Sequence, residues 1–205
     1  MAVLGAAQPA RAEMPREEAA RFMGELMSGK AHIGGPFTLL DTRGRKRSLA
    51  DFRGRVVLLY FGYTSCADAC PTDLLQIAKL LASMGQAAEG VVPIFVTLDP
   101  ARDTPEVLAA YAAAFSPRIV ALRGSEEQTR QVADAYKVYF AKVQDARSGS
   151  YFIDHMAFTF LLDRAGDYVA FFPPGTSSER METMMASLIS TTSAVRGLSR
   201  RYSRG

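Results

Sequence analysis

Val56-Val57-Leu58-Leu59-Tyr60-Phe61-Gly62-Tyr63-Thr64-Ser65-Cys66-Ala67-Asp68-Ala69-Cys70-Pro71 is the stretch on which the fold turns. The uninterrupted apolar run from Val56 to Phe61 reads as a central strand buried on both faces, because a half-solvated strand would alternate polar and apolar residues. Within a few residues the chain opens a helix. Pro71 suits the first helical position, where the N–H needs no partner, which makes Cys70 the N-cap and puts Asp73 at N3, facing the positive helix end.

Working outward, Gly34-Gly35-Pro36 breaks the chain before a short strand, Phe37 to Leu40. Asp41 to Gly44 is a turn and Lys46 to Ser48 a returning strand. Downstream, Val91 to Leu98 is a second central strand, with Pro93 where its missing N–H is not needed. Helices are predicted over 71–84, 104–115, 126–138 and 178–193. Strands are predicted over Val138 to Val143, Thr159 to Leu162 and Tyr168 to Phe172, the last two joined through Asp163-Arg164-Ala165-Gly166 as an antiparallel hairpin. Alternating strands and helices imply crossovers on a mostly parallel sheet. The class is α/β, an elaborated thioredoxin-like fold with an added N-terminal β-hairpin and a closing antiparallel hairpin plus C-terminal helix.

With 205 residues, 48% hydrophobic and 22% charged, the chain suits one domain, here 33–193, with loose ends. The formal charge of +3 has a local origin: Arg196, Arg200, Arg201 and Arg204 lie in the last ten residues, and without them the balance is about −1. Residues 194–205 therefore read as a basic disordered tail. No folded face interleaves basic and aromatic residues, which argues against nucleic acid. No run of eighteen apolar residues is present. Val3-Leu4-Gly5-Ala6-Ala7 followed by Ala10-Arg11-Ala12 resembles the end of an export signal, so 1–32 reads as a partial signal and flexible linker, with a membrane anchor possible in a full-length precursor.

The two cysteines are separated by three residues, and a bridge across so small a loop would constrain the unfolded chain little, so their purpose is chemical. A sulfur at a helix N-terminus ionises more readily than a free thiol with its pKa of about 8.5. On a helix, Cβ atoms four residues apart lie roughly 5–6 Å apart, wider than the roughly 3.5–4.5 Å of a relaxed disulfide. This spacing favours a bridging metal, while dithiol redox chemistry and two incidental buried thiols stay open. Two thiolates underfill a copper or zinc site. Of the two histidines, His155 in Tyr151-Phe152-Ile153-Asp154-His155-Met156 lies in a loop before the closing hairpin and is the candidate third ligand, whereas His32 is read as an exposed bystander. Imidazole plus two thiolates suits copper, with zinc accepting the same set. Asp154 is a candidate to orient the imidazole. Met156, and Met181, Met184 and Met185 at helical spacing, are read as packing.

At these residues the sequence resembles the Sco/SenC family of copper chaperones, over about Gly34 to Ser187. The carriers are Gly34-Gly35-Pro36-Phe37-Thr38-Leu39, Tyr60-Phe61-Gly62-Tyr63-Thr64 with Cys66 and Cys70-Pro71, Leu98-Asp99-Pro100-Ala101-Arg102-Asp103-Thr104-Pro105, and Asp154-His155. The resemblance implies Cu(I) or Cu(II) held by Cys66, Cys70 and His155, with the ion passed to the copper-bearing subunit of cytochrome c oxidase. It implies work in the periplasm or on the outer face of the inner membrane, another periplasmic copper chaperone as a further partner, and a monomeric protein. Some relatives act as thiol-disulfide reductants, so the alternative is a periplasmic oxidoreductase using the same cysteines as redox-active groups. Ala67 stands where many members have proline. Asp99, at the end of a central strand, is a candidate to support the metal site or dock a partner. Asp103 or Thr104 is expected to cap the helix that follows.

Overall fold

The computed structural model describes Gly24 and residues 32–145 and 149–189; the expected export signal and linker before His32, the end of the terminal helix and the basic tail lie outside the described residues. The strands are β1 (Thr38–Asp41), β2 (Lys46–Ser48), β3 (Val56–Gly62), β4 (Val91–Thr97), β5 (Val120–Arg123), β6 (Phe140–Gln144), β7 (Tyr151–His155), β8 (Thr159–Leu162) and β9 (Tyr168–Phe172). The helices are α1 (Ala69–Ser83), α2 (Pro105–Phe115), α3 (Glu126–Ala135) and α4 (178–189). Seven strands form one sheet in the order β2-β1-β5-β4-β3-β8-β9, and β6 and β7 pair separately. β3, β4 and β5 are parallel, while β8 runs antiparallel to β3 and β1 to β5. This is the α/β, thioredoxin-like arrangement expected, with its N-terminal and closing hairpins.

The apolar run behaves as a doubly covered strand must. Every residue of β3 and of β4 is buried. Successive side chains point to opposite faces, so Tyr60 and Phe61 each found a separate aromatic layer. Tyr60 stacks on Phe95, which meets Tyr111 of α2; Phe61 meets Phe160 of β8 and Tyr136 at the end of α3. Leu74, Ile77, Leu80 and Leu81 bury the inner stripe of α1. α4 lies beside α1, tied by Ser178 N to Gln76 Oε1 at 3.2 Å and Ser83 Oγ to Glu182 Oε2 at 2.8 Å. Met181 and Met185 of α4 pack in the core as expected, whereas Met184 is exposed.

Three differences from the expected elements have physical causes. β5 was given no element of its own; it is only four residues long and exists through pairing with β4 on one side and β1 on the other. β7 runs through the segment expected to be a loop, and pairs with β6 from Phe140 opposite His155 to Gln144 opposite Tyr151. α3 ends at Ala135 rather than 138. Lys137 adopts φ 58°, Val138 N donates to Ala133 O at 2.8 Å and Lys137 N to Asp134 O at 3.0 Å, a Schellman closure that satisfies the last carbonyls and redirects the chain.

A lysine in the left-handed region carries a steric cost that glycine escapes. Lys137→Gly is expected to raise stability by about 0.5–1 kcal/mol, read as a higher urea midpoint at unchanged slope.

Candidate metal and thiol site

The site forms at the C-terminal edge of β3 and β4. β8 is antiparallel to β3, with Thr159 opposite Tyr60, so the chain must enter β8 from that same edge. His155, four residues before Thr159, is thereby delivered to the end of β3 where the cysteines lie. Cys70 Sγ and His155 Nε2 are 3.7 Å apart, although 85 residues separate them in the chain.

α1 begins two residues earlier than expected, at Ala69 instead of Pro71. Its N-cap is Asp68, without a side-chain cap bond, so Cys70 is in the first turn and not the cap. Pro71 still falls where no N–H is required. Asp73 is consequently too deep to sit at N3; it is buried, burial raises its carboxyl pKa, and Oδ1 accepts from Gly175 N at 2.7 Å. Cys66 lies outside the helix, in the turn closed by its own N–H to Tyr63 O at 3.2 Å. The helical Cβ separation therefore does not apply, and the two unbridged sulfurs are close enough to share a hydrogen bond.

The two thiols are chemically unequal. The hydrogen bond from Cys70 holds Cys66 down to about 5, aided by the N–H groups of Asp68 and Cys70 and by the nearby imidazole. Donating that bond, together with burial, drives the Cys70 pKa strongly upward. Cys66 is half-buried and Cys70 fully buried. The Tyr60 hydroxyl is buried against both Cys70 and Asp73. Burial lowers the His155 pKa, favouring the neutral ring that binds metals. Its Nδ1 faces Ile153 O at 3.3 Å, leaving Nε2 toward the sulfur.

Gly62 makes this packing possible. A Cβ there would lie 2.7 Å from Cys70 Sγ, 2.9 Å from Tyr60 Cε1 and 3.0 Å from Phe95 Cε2. A glycine closing an otherwise apolar strand is the sequence signal for such a close approach. Tyr63 sets its ring edge-on to the imidazole, with centroids 5.7 Å apart and planes at 77°.

The candidate supporting residues fare differently. Asp154 is exposed on the opposite face of β7, and the carbonyl of Ile153 takes the place beside Nδ1. Asp99 is fully buried but bonds to Arg102 and Tyr151 instead of a sulfur or the imidazole. His32 is exposed and Met156 half-buried. Thr104 caps α2 through Val107 N at 3.3 Å, while Asp103 turns inward and accepts from Thr64 Oγ1 at 2.6 Å.

Among the described residues no three His, Cys, Asp or Glu side chains already converge as a formed metal cage. The Cys70–His155 separation nevertheless fits an ion: with bonds of about 2.3 Å to sulfur and 2.0 Å to nitrogen, as zinc makes, 3.7 Å corresponds to roughly 120° at the metal.

Residues 25–190 match the SCO1/SenC family. The chain belongs to that family. It is 43% identical over 148 residues to an SCO2-like protein of Rickettsia prowazekii, covering 72% of each chain. Among solved structures it is similar to Bradyrhizobium japonicum ScoI with copper bound, at 36% identity and a TM-score of 0.70, over 76% of this chain and 99% of that one. It is also similar to copper-bound ScoI of Arabidopsis thaliana, at 31% identity and 0.72, over 78% and 99%.

Gly62→Ala is expected to cost about 1–3 kcal/mol through overpacking at Cys70, measured by urea unfolding. In the reduced, metal-free protein, iodoacetamide should modify Cys66 first. Since a lowered pKa means the thiolate persists above it, the rate should climb with pH through a midpoint near 5, with Cys70 unmodified until unfolding; mass spectrometry of the adducts reads both.

Proposed function

We propose that this chain is a copper metallochaperone in which Cys66, Cys70 and His155 hold one copper ion and release it by ligand exchange to the copper-bearing subunit of cytochrome c oxidase. The observation that carries the reading is the 3.7 Å approach of the His155 imidazole to the Cys70 sulfur across 85 residues of chain. Two soft sulfurs and a neutral imidazole suit copper, and copper is bound in the similar ScoI structures of Bradyrhizobium japonicum and Arabidopsis thaliana. The oxidase as destination, a second copper chaperone as a further partner and a periplasmic or outer-face location follow from the family resemblance.

The half-buried Cys66 is the sulfur an incoming partner thiolate reaches first; the fully buried Cys70, with His155, keeps the ion until a second bond forms. Catalytic turnover is not needed. Binding also releases protons, because Cys70 must give up its hydrogen when the sulfur–sulfur hydrogen bond is replaced by two metal bonds.

The inequality of the thiols favours a second reading, a thiol-disulfide oxidoreductase. The Cys66 thiolate would attack a substrate disulfide and expel one substrate thiolate. Cys70, deprotonated, would then displace the other, leaving the chain oxidised and the substrate reduced by two electrons. This route needs no imidazole bond to a metal.

Titration of the reduced protein with copper should give one equivalent bound and a thiolate-to-copper charge-transfer band. Cys66→Ser, Cys70→Ser and His155→Ala should each weaken binding at least about tenfold. Unaltered affinity in His155→Ala, combined with full disulfide reduction of the oxidase subunit, would favour the oxidoreductase.

A further inference from the structure

The ligands of the proposed site come from two separately built pieces. Cys66 and Cys70 belong to the body of the domain, at the end of β3 and the start of α1. His155 ends the β6–β7 hairpin, which among the described residues is hydrogen-bonded into no strand of the seven-stranded sheet. Ile153 and Ala157 anchor that hairpin by apolar burial, which fixes depth but not direction. Direction requires polar contacts of defined geometry.

Such contacts gather at the other end of the same strand. Tyr151, the first residue of β7, is held three ways. Its hydroxyl donates to Asp99 Oδ1 at 2.8 Å, its carbonyl accepts from Arg102 Nη1 at 2.8 Å, and its ring lies 3.8 Å from the Arg102 guanidinium carbon. Arg102 Nε donates to the second oxygen of Asp99, which is fully buried and therefore rigidly placed at the end of β4. On its far side the guanidinium lies 6.0 Å from the ring of Tyr63, the ring that stands against the imidazole. The neighbouring Asp103, fully buried, accepts from Thr64 N at 3.2 Å, Thr64 Oγ1 at 2.6 Å and the Thr97 hydroxyl. One segment thus grips both pieces, through Asp103 on the cysteine side and through Asp99 and Arg102 on the histidine side.

We propose that Asp99, Arg102 and Tyr151 form a latch that aims the β6–β7 hairpin so that His155 Nε2 stays within ligand reach of Cys70. They are positioning residues, and they decide whether the chain offers two sulfurs alone or two sulfurs and a nitrogen. The proposal rests on His155 being a copper ligand. A latch of this kind differs from general stabilisation because its loss reaches the ion only through the imidazole.

The full chain, reduced, is titrated with copper(II) chloride against a competing chelator, and the charge-transfer band is recorded. Arg102→Met, which removes the fork and keeps much of the volume, should weaken copper by about tenfold or more. Tyr151→Phe, which deletes one hydroxyl and keeps the ring, should weaken it less, and both should move the band toward that of His155→Ala. The decisive reading is the pairing of Arg102→Met with His155→Ala: the double variant should bind copper as His155→Ala does, because the latch has nothing left to aim. Alkylation of Cys66 in the metal-free variants should keep its midpoint. Copper binding unchanged in Arg102→Met and Tyr151→Phe, while His155→Ala loses it, overturns the latch and leaves the metal site standing. Additive losses in the double variant overturn it as well, since they assign Arg102 to general stability. Unchanged binding in His155→Ala removes the histidine from the site and the latch with it. If Arg102→Met fails to fold, Tyr151→Phe is paired with His155→Ala and read the same way.

Discussion

Burial of the Cys70 sulfur against the end of β3 is the constraint from which the site follows. The sulfur rests where Gly62 leaves room for it, beside the rings of Tyr60 and Phe95. In so dry a place a lone thiolate would be costly, and the Cys70 proton is retained by donation to Cys66. The charge is thereby exported to the neighbour that has backbone N–H donors and partial solvent contact. One packing decision, a small residue at the end of a buried strand, produces an inner neutral thiol and an outer ionised one.

That division would suit metal transfer and disulfide exchange alike, which is why the sulfurs alone do not separate the two. An outer thiolate is the natural point of attack on a disulfide and the natural first bond to an incoming ion. The imidazole is what differs. For disulfide exchange the imidazole of His155, facing the inner sulfur, has no necessary part. For a soft ion it would offer a nitrogen donor 3.7 Å from the inner sulfur, close enough for both to reach one ion. The histidine's position, and not the cysteines' reactivity, is what distinguishes a copper site from a redox dithiol.

The central sheet was legible because its signals are local. β3, β8 and β9 come out close to the expected bounds, since an unbroken apolar run and a Gly-containing turn each have one reading. β5 was illegible for the opposite reason: four residues ending in Arg123 have no period to read and depend on strands distant in sequence. β7 did carry a signal. Tyr151, Ile153 and His155 share one face, and Phe152 and Asp154 the other, an alternation that the Asp-His pair before the hairpin obscured. At the site, Cys66, Cys70 and His155 were identified by residue type. Their setting was not: the helix start depends on turn geometry around Asp68, and the partner of Nδ1 is a backbone carbonyl, which carries no mark in a sequence.

The acidic and basic residues of Leu98-Asp99-Pro100-Ala101-Arg102-Asp103-Thr104-Pro105 show how a capping sequence can hold more than a helix. Thr104 and Pro105 suffice to start α2. A caps-only account leaves no reason for two carboxylates to be buried completely, each a considerable desolvation cost unless every oxygen is engaged. Both are engaged, and with partners 39 and 52 residues away rather than with the helix they precede. Buried charge of this kind contributes little to net stability compared with apolar packing, but it fixes orientation, because its geometry fails over a few tenths of an ångström. A site whose candidate ligands sit on two separately paired pieces requires that property, and the C-terminal end of β4 lies between them.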